Sequence, residues 1–107
     1  ILNMEKLVLN NLSYAYLLTK DYRKAEKYSL KAYEHAKKID DVELILESTV
    51  NLTDVYIKLN KNDFAIKFAI EGIVTAKKLQ AKKQLKDLYD AIVGAYLNKG
   101  DYKNAFI

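Results

Sequence analysis

The stretch "YLLTKDYRKA" at residues 16–25 returns, with few changes, as "YLNKGDYKNA" at residues 96–105. Midway between them stands a blurred third copy, "YIKLNKNDFA", at residues 56–65. Self-similarity at a fixed spacing of forty constrains the fold more tightly than composition does. Each copy must be one supersecondary unit that buries its apolar face against the next. Shifted by forty, Leu12 superposes on Leu52 and Ile92, Tyr16 on Tyr56 and Tyr96, and Ala25 on Ala65 and Ala105. Tyr28 falls on Phe68, Ala32 on Gly72, and Ala36-Lys37-Lys38-Ile39 on Ala76-Lys77-Lys78-Leu79.

Inside each copy the apolar residues recur at helical spacing. Leu7, Val8, Leu12 and Tyr16 open the chain; after a polar break at Asp21, the period resumes with Tyr22, Ala25, Tyr28, Ala32 and Ala36. A carboxylate at such a break can accept from the free N–H groups of the next helix, so Asp21 is a predicted cap, as is one of Asp40 and Asp41. Ile45, Leu52 and Tyr56 mark a third helix, Phe64, Phe68 and Gly72 a fourth, and Leu85, Leu88, Ile92 and Tyr96 a fifth. Asn60-Lys61-Asn62-Asp63 separates the third helix from the fourth. Gly100 suits a left-handed helix end, and Asp101 caps a sixth helix that is cut off at Ile107. Each unit is therefore a helical hairpin, with small residues where helices approach closely.

Composition agrees. The 107 residues are the length of one domain, half are hydrophobic, and there is no proline and only three glycines. The absence of cysteine excludes a disulfide scaffold and thiolate metal sites. No apolar run has the length of a membrane-spanning helix, so membrane insertion is not expected. The net charge of +4 comes from cations scattered in ones and twos. Nucleic-acid binders concentrate such charge, and lysines that keep a helical surface soluble are the simpler account.

These units resemble tetratricopeptide repeats. That signature places a large residue, then Leu-Gly, then Tyr on the first helix, with small residues on the second. The first unit here reads Leu9, Leu12-Ser13, Tyr16, Asp21-Tyr22 and Ala25; the third reads Tyr89, Ile92-Val93, Tyr96, Gly100-Asp101-Tyr102 and Ala105. The closing proline is missing, Ser13, Thr53 and Val93 replace the glycine, and the period is forty rather than thirty-four. Longer repeats of this kind resemble those of bacterial regulators and kinesin light chains. The resemblance implies an all-α fold, a right-handed α-α superhelix of about two and a half repeats. The units would span 3–40, 41–80 and a truncated 81–107, all in one domain and as a fragment of a longer array.

Catalytic chemistry finds little support. His35 is the single histidine and has no nucleophile–base partner set. Gly72, Gly94 and Gly100 are isolated, so no phosphate loop is present. Asp87 and Asp90, one turn apart, are too few ligands for a metal site. No enzyme activity, cofactor or metal is expected. Tyr16, Tyr56, Tyr96, Tyr22, Tyr102 and Tyr28 occupy repeat-packing positions, whereas Tyr14 has Asp54 and Gly94 as counterparts.

Positions that the copies do not share are free to carry recognition. In tetratricopeptide proteins the first helices line a concave groove. The resemblance implies that Leu7, Asn10, Asn11, Tyr14, Leu17 and Leu18 lie there, with Glu47, Val50, Asn51, Asp54, Ile57 and Lys58. Asp87, Asp90, Ala91, Gly94, Leu97 and Asn98 complete the lining. The candidate ligand-binding residues are Asn11, Tyr14, Glu47, Asn51, Asp54, Asp87 and Asp90. An amide can donate and accept together, so Asn11 and Asn51 suit a peptide backbone; tying neighbouring helices together is an equally good role for them. A chaperone-type carboxylate clamp does not fit, because Asp87 and Ala91 stand where it needs basic residues.

The expected groove is acidic, with Lys58 its single basic residue. It suits a ligand with basic or neutral polar groups seated against Tyr14, Val50, Ile57 and Leu97. The expected function is a non-enzymatic scaffold for a protein or peptide partner, in the cytoplasm, without nucleic acid. The alternative is a ligand-sensing segment of a larger bacterial transcription regulator or sensor kinase, which could be extracytoplasmic. Self-association through the truncated sixth helix is a further expectation.

Overall fold

A computed structural model describes residues 2–105, with side chains from Val8 onward except that of Tyr102. The packing roles expected of Leu7, Tyr102, Phe106 and Ile107 lie outside the described side chains. Among the described residues six helices follow one another: α1 (Leu2–Leu18), α2 (Tyr22–Ile39), α3 (Val42–Lys58), α4 (Asn62–Leu79), α5 (Lys82–Asn98) and α6 (Tyr102–Ala105). No strand occurs among the described residues. Each helix packs on its successor, and α1 on α3 on α5. The result is a superhelical stack of hairpins, 46 × 31 × 20 Å, with α1, α3 and α5 forming an inner layer and α2 and α4 an outer one.

The turns hold a regularity that the side chains hide. Backbone φ is positive at Lys20, Asp40, Asn60, Gln80 and Gly100, one residue in every twenty. At each, the following N–H reaches back five residues: Asp21 to the carbonyl of Tyr16, Asp41 to Ala36, Lys61 to Tyr56, Ala81 to Ala76 and Asp101 to Tyr96, at 2.8–3.0 Å. The left-handed residue itself donates three residues back, as Gln80 does to Lys77 at 3.2 Å. These paired bonds satisfy carbonyls that a helix end would otherwise leave without donors. The residue after the left-handed one opens the next helix, so two or three residues make the whole connection. The forty-residue repeat of side chains thus rides on a twenty-residue repeat of backbone.

Caps are less uniform than turns. Asp21 accepts from the Lys24 N–H at 3.3 Å, Asp41 from Leu44 at 3.1 Å, and Asp101 from Asn104 at 3.3 Å. Of the two adjacent aspartates, Asp41 is the cap and Asp40 takes the left-handed end of α2. Lys61 and Ala81 occupy the equivalent sites without any side-chain cap bond.

The best-buried core belongs to the second unit. Leu52, Tyr56, Ala65, Ile66, Phe68 and Ala95 form one cluster, against which Leu30 and Tyr33 pack from the first unit. A second cluster joins Leu46, Ala69, Ile73, Ala76 and Leu88. Gly72 explains how closely α4 can approach its neighbours. A Cβ there would lie 2.9 Å from Leu88 Cδ1 and 3.1 Å from Thr49 Cγ2, so only a hydrogen fits. The aromatic pairs repeat with the sequence. Tyr16 stacks on Tyr28 with centroids 5.5 Å apart, and forty residues on Tyr56 stacks on Phe68 at 5.7 Å.

Unit one is also tied to unit two by polar contacts. The Tyr33 hydroxyl donates to the Glu71 carboxylate at 2.7 Å, and the Lys37 ammonium reaches the same carboxylate at 2.8 Å. Burial, reinforced by Glu71, pushes the Tyr33 phenol above its ordinary pKa.

Candidate functional site

The inner faces of α1, α3 and α5 enclose two adjoining depressions. The first, about 300 Å³, is lined by Asn10, Asn11 and Tyr14 of α1, Glu47, Val50 and Asn51 of α3, and Lys83, Gln84 and Asp87 of α5. The second, about 430 Å³, is lined by Val50, Asp54, Ile57, Asp87, Asp90, Ala91 and Gly94. Val50 and Asp87 belong to both, so the two form one continuous groove. They converge because residues three, four or seven apart share one helix face, and the stacking of first helices aligns three such faces.

All seven candidate residues line this groove. Asn11, Tyr14, Glu47 and Asn51 lie in the first depression, Asp54 and Asp90 in the second, and Asp87 between them. Tyr14 is 57% exposed, an aromatic ring open to solvent rather than packed in the stack. Neither the Asn11 nor the Asn51 amide makes a hydrogen bond to another described residue. The tie between first helices is made instead by Asn10, whose Nδ2 donates to Glu47 Oε2 at 3.0 Å. The Asn10 Oδ1 is buried and has no partner among the described residues.

Two expectations need correction. Lys58 is not the single cation of the inner layer, because Lys83, with Gln84, lines the first depression. Both stand at the start of α5, ahead of the apolar stripe that begins at Leu85; with α5 starting at Lys82, its first turn reaches the groove. Asn98, expected on the groove wall, turns to α4, where its Nδ2 donates to Asn62 Oδ1 at 3.3 Å.

Acidity is therefore concentrated in the second depression, where Asp54, Asp87 and Asp90 meet with no cation in the lining. The Asp54 side chain is open to solvent, yet it stands in a concavity where protein mass replaces part of its hydration. That loss of hydration raises its pKa above the ordinary carboxylate value; repulsion from Asp87 adds to the rise, and attraction to Lys58 opposes it. The outward-pointing lysines sit elsewhere: Lys24, Lys31, Lys67 and Lys77 are exposed on α2 and α4. His35 is partly buried on α2, its Nε2 without a partner among the described residues. No group of three metal-ligating side chains occurs among the described residues. None of their helices is long and apolar enough to cross a membrane.

No protein-family model matches the sequence, and a search of curated proteins found no match. The structure is similar to the crystal structure of the TPR domain of Arabidopsis FLU, with a TM-score of 0.93. That likeness covers 99% of this chain and 89% of the other, at 19% sequence identity. At that identity the agreement concerns the path of the backbone. The chain has the fold of a tetratricopeptide-repeat domain.

Proposed function

We propose that this chain is a non-enzymatic interaction module that holds a segment of a protein partner in the groove formed by α1, α3 and α5. One observation carries the reading: the stacked first helices form one concave surface on which most repeat-equivalent positions carry unlike side chains. Asn10, Val50 and Asp90 are repeat-equivalent yet chemically unrelated, as are Tyr14, Asp54 and Gly94, and all six line the groove. Packing alone gives no reason for that variety. Recognition of an irregular ligand does.

The second depression favours basic or neutral polar groups, since local field rather than net charge selects what enters a concave site. Tyr14, Val50 and Ile57 supply apolar contact beside it. The test is the double charge reversal Asp87→Lys with Asp90→Lys, titrated against the natural partner at low and high salt. Binding is expected to weaken about tenfold at low salt, with the loss shrinking as salt rises. Unchanged or tighter binding would remove these carboxylates from the mechanism.

A further inference from the structure

We propose that the outer surface built by α2 and α4 adsorbs to anionic lipid bilayers. The exposed side of α2 carries Arg23, Lys24, Lys27, Lys31, Lys37 and Lys38 against a single exposed anion, Glu34. At about 1.5 Å per residue its 18 residues draw this charge along roughly 27 Å. Lys37 is engaged by Glu71 at 2.8 Å, and Lys24 lies 3.9 Å from Asp21. Arg23, Lys27, Lys31 and Lys38 have no carboxylate partner among the described residues. The Lys27 and Lys31 ammonium groups each lie 5.7 Å from the centroid of the Tyr28 ring, a cation–π contact weak at an exposed site, so both charges stay available to an outside anion.

Alongside, α4 brings apolar side chains to the same layer. Ile70 and Val74, one turn apart, are 52% and 51% exposed, with the exposed Lys67, Lys77 and Lys78 around them. Cations that meet lipid headgroups, next to apolar side chains that enter the headgroup boundary, are the two components of reversible adsorption to an anionic surface.

Nucleic acid fits this surface less well. A phosphate backbone has no place for the exposed Ile70 and Val74 beside the cations. Binding single strands needs free aromatic faces, whereas Tyr16 and Tyr28 stack on one another at 5.5 Å. The inner groove plays no part, because it opens on the opposite, acidic side of the stack.

The experiment is co-sedimentation of the whole chain with phosphatidylcholine vesicles, with and without phosphatidylserine, at low and high salt. Binding is expected only with phosphatidylserine and is lost at high salt. Lys27→Glu with Lys31→Glu should lower partitioning by more than about twenty-five-fold, because each cation near such a surface contributes roughly a factor of five and the reversal adds repulsion. Lys27→Gln with Lys31→Gln, which removes charge without reversing it, should give an intermediate loss. Ile70→Ser with Val74→Ser should lower partitioning about threefold and leave its salt dependence intact. Circular dichroism of each variant confirms the helical fold, as all four positions are exposed. Equal sedimentation with phosphatidylcholine alone, or full binding by the Glu variant, would overturn the proposal. Tighter binding to an oligonucleotide than to vesicles at the same salt would overturn it in favour of a nucleic-acid partner.

Discussion

Leu12 and Leu52 occupy the same place in successive units, yet Leu52 is fully buried and Leu12 only partly. Tyr16 and Tyr56 repeat the contrast: the first is half-buried, the second 5% exposed, although both stack on an aromatic twelve residues later. In the third unit Ile92 and Tyr96 are again only partly buried. Among the described residues, the middle unit is covered on both sides and the flanking units on one. In a stack, the repeat position decides which neighbours a side chain meets, and the number of adjoining units decides how fully it is enclosed. Equivalent residues are therefore not energetically equivalent.

The sharpest way to break this comparison is to truncate both members of a pair. Leu52→Ala should cost about 3–4 kcal/mol, the range for a buried leucine that leaves a cavity, and Leu12→Ala about half as much. Urea midpoints at unchanged m-value read the difference directly. Equal losses would show that burial in the middle unit gives no advantage.

Gly72 and Ala32 test the same idea at a close approach. Gly72→Ala should destabilise by about 1 kcal/mol, since its new methyl meets those of Leu88 and Thr49 inside contact distance and the better helix propensity of alanine offsets part of the cost. A neutral result would mean that α4 and α5 can part without loss. Thermal unfolding of this variant checks it.

The turns give a smaller effect with the opposite sign. Gln80 holds φ of +55° with a side chain, at the place where the last turn has Gly100. Gln80→Gly should raise stability by about 0.5–1 kcal/mol, because the left-handed region is strained for any residue with a Cβ. Gly100→Ala should lower it by a similar amount. If both variants melt like the parent, the turns are not under the strain described here.

The smallest effect lies in the groove. Asp54 has a raised pKa in the folded chain, so its ionised form weakens the fold once pH is above that value. Stability associated with this group is gained as pH falls through the raised value, and the effect is complete below the unfolded carboxylate value. Asp54→Asn should therefore be more stable than the parent at neutral pH, by roughly 0.5 kcal/mol or less because the site is open to solvent. That advantage should vanish in acid. Denaturation at pH 7 and pH 3 compares the two. A constant advantage at both values would mean that charge is not its source.

Much of the architecture was legible before any coordinates. The resemblance to tetratricopeptide repeats set the seven candidate residues on the inner helices. The forty-residue spacing, the helical stripes, the caps at Asp21 and Asp101 and the left-handed end at Gly100 follow from sequence order. These rest on short-range causes: hydrogen bonds within a helical turn, side-chain caps, and a periodicity that assigns each residue to a face. The twenty-residue backbone period was not legible, because Lys20 and Gln80 carry no signal for positive φ. Their conformation is imposed by the helices on either side, which must fold back within two or three residues. Nor could sequence say that Asn10 rather than Asn11 ties α1 to α3, or that Lys83 joins the groove. The burial of Leu52 over Leu12, and the repulsion between Asp54 and Asp87 across α3 and α5, are likewise tertiary facts. Burial and electric field are sums over everything nearby, and the chain brings those neighbours from adjoining helices, beyond the reach of any one helical turn.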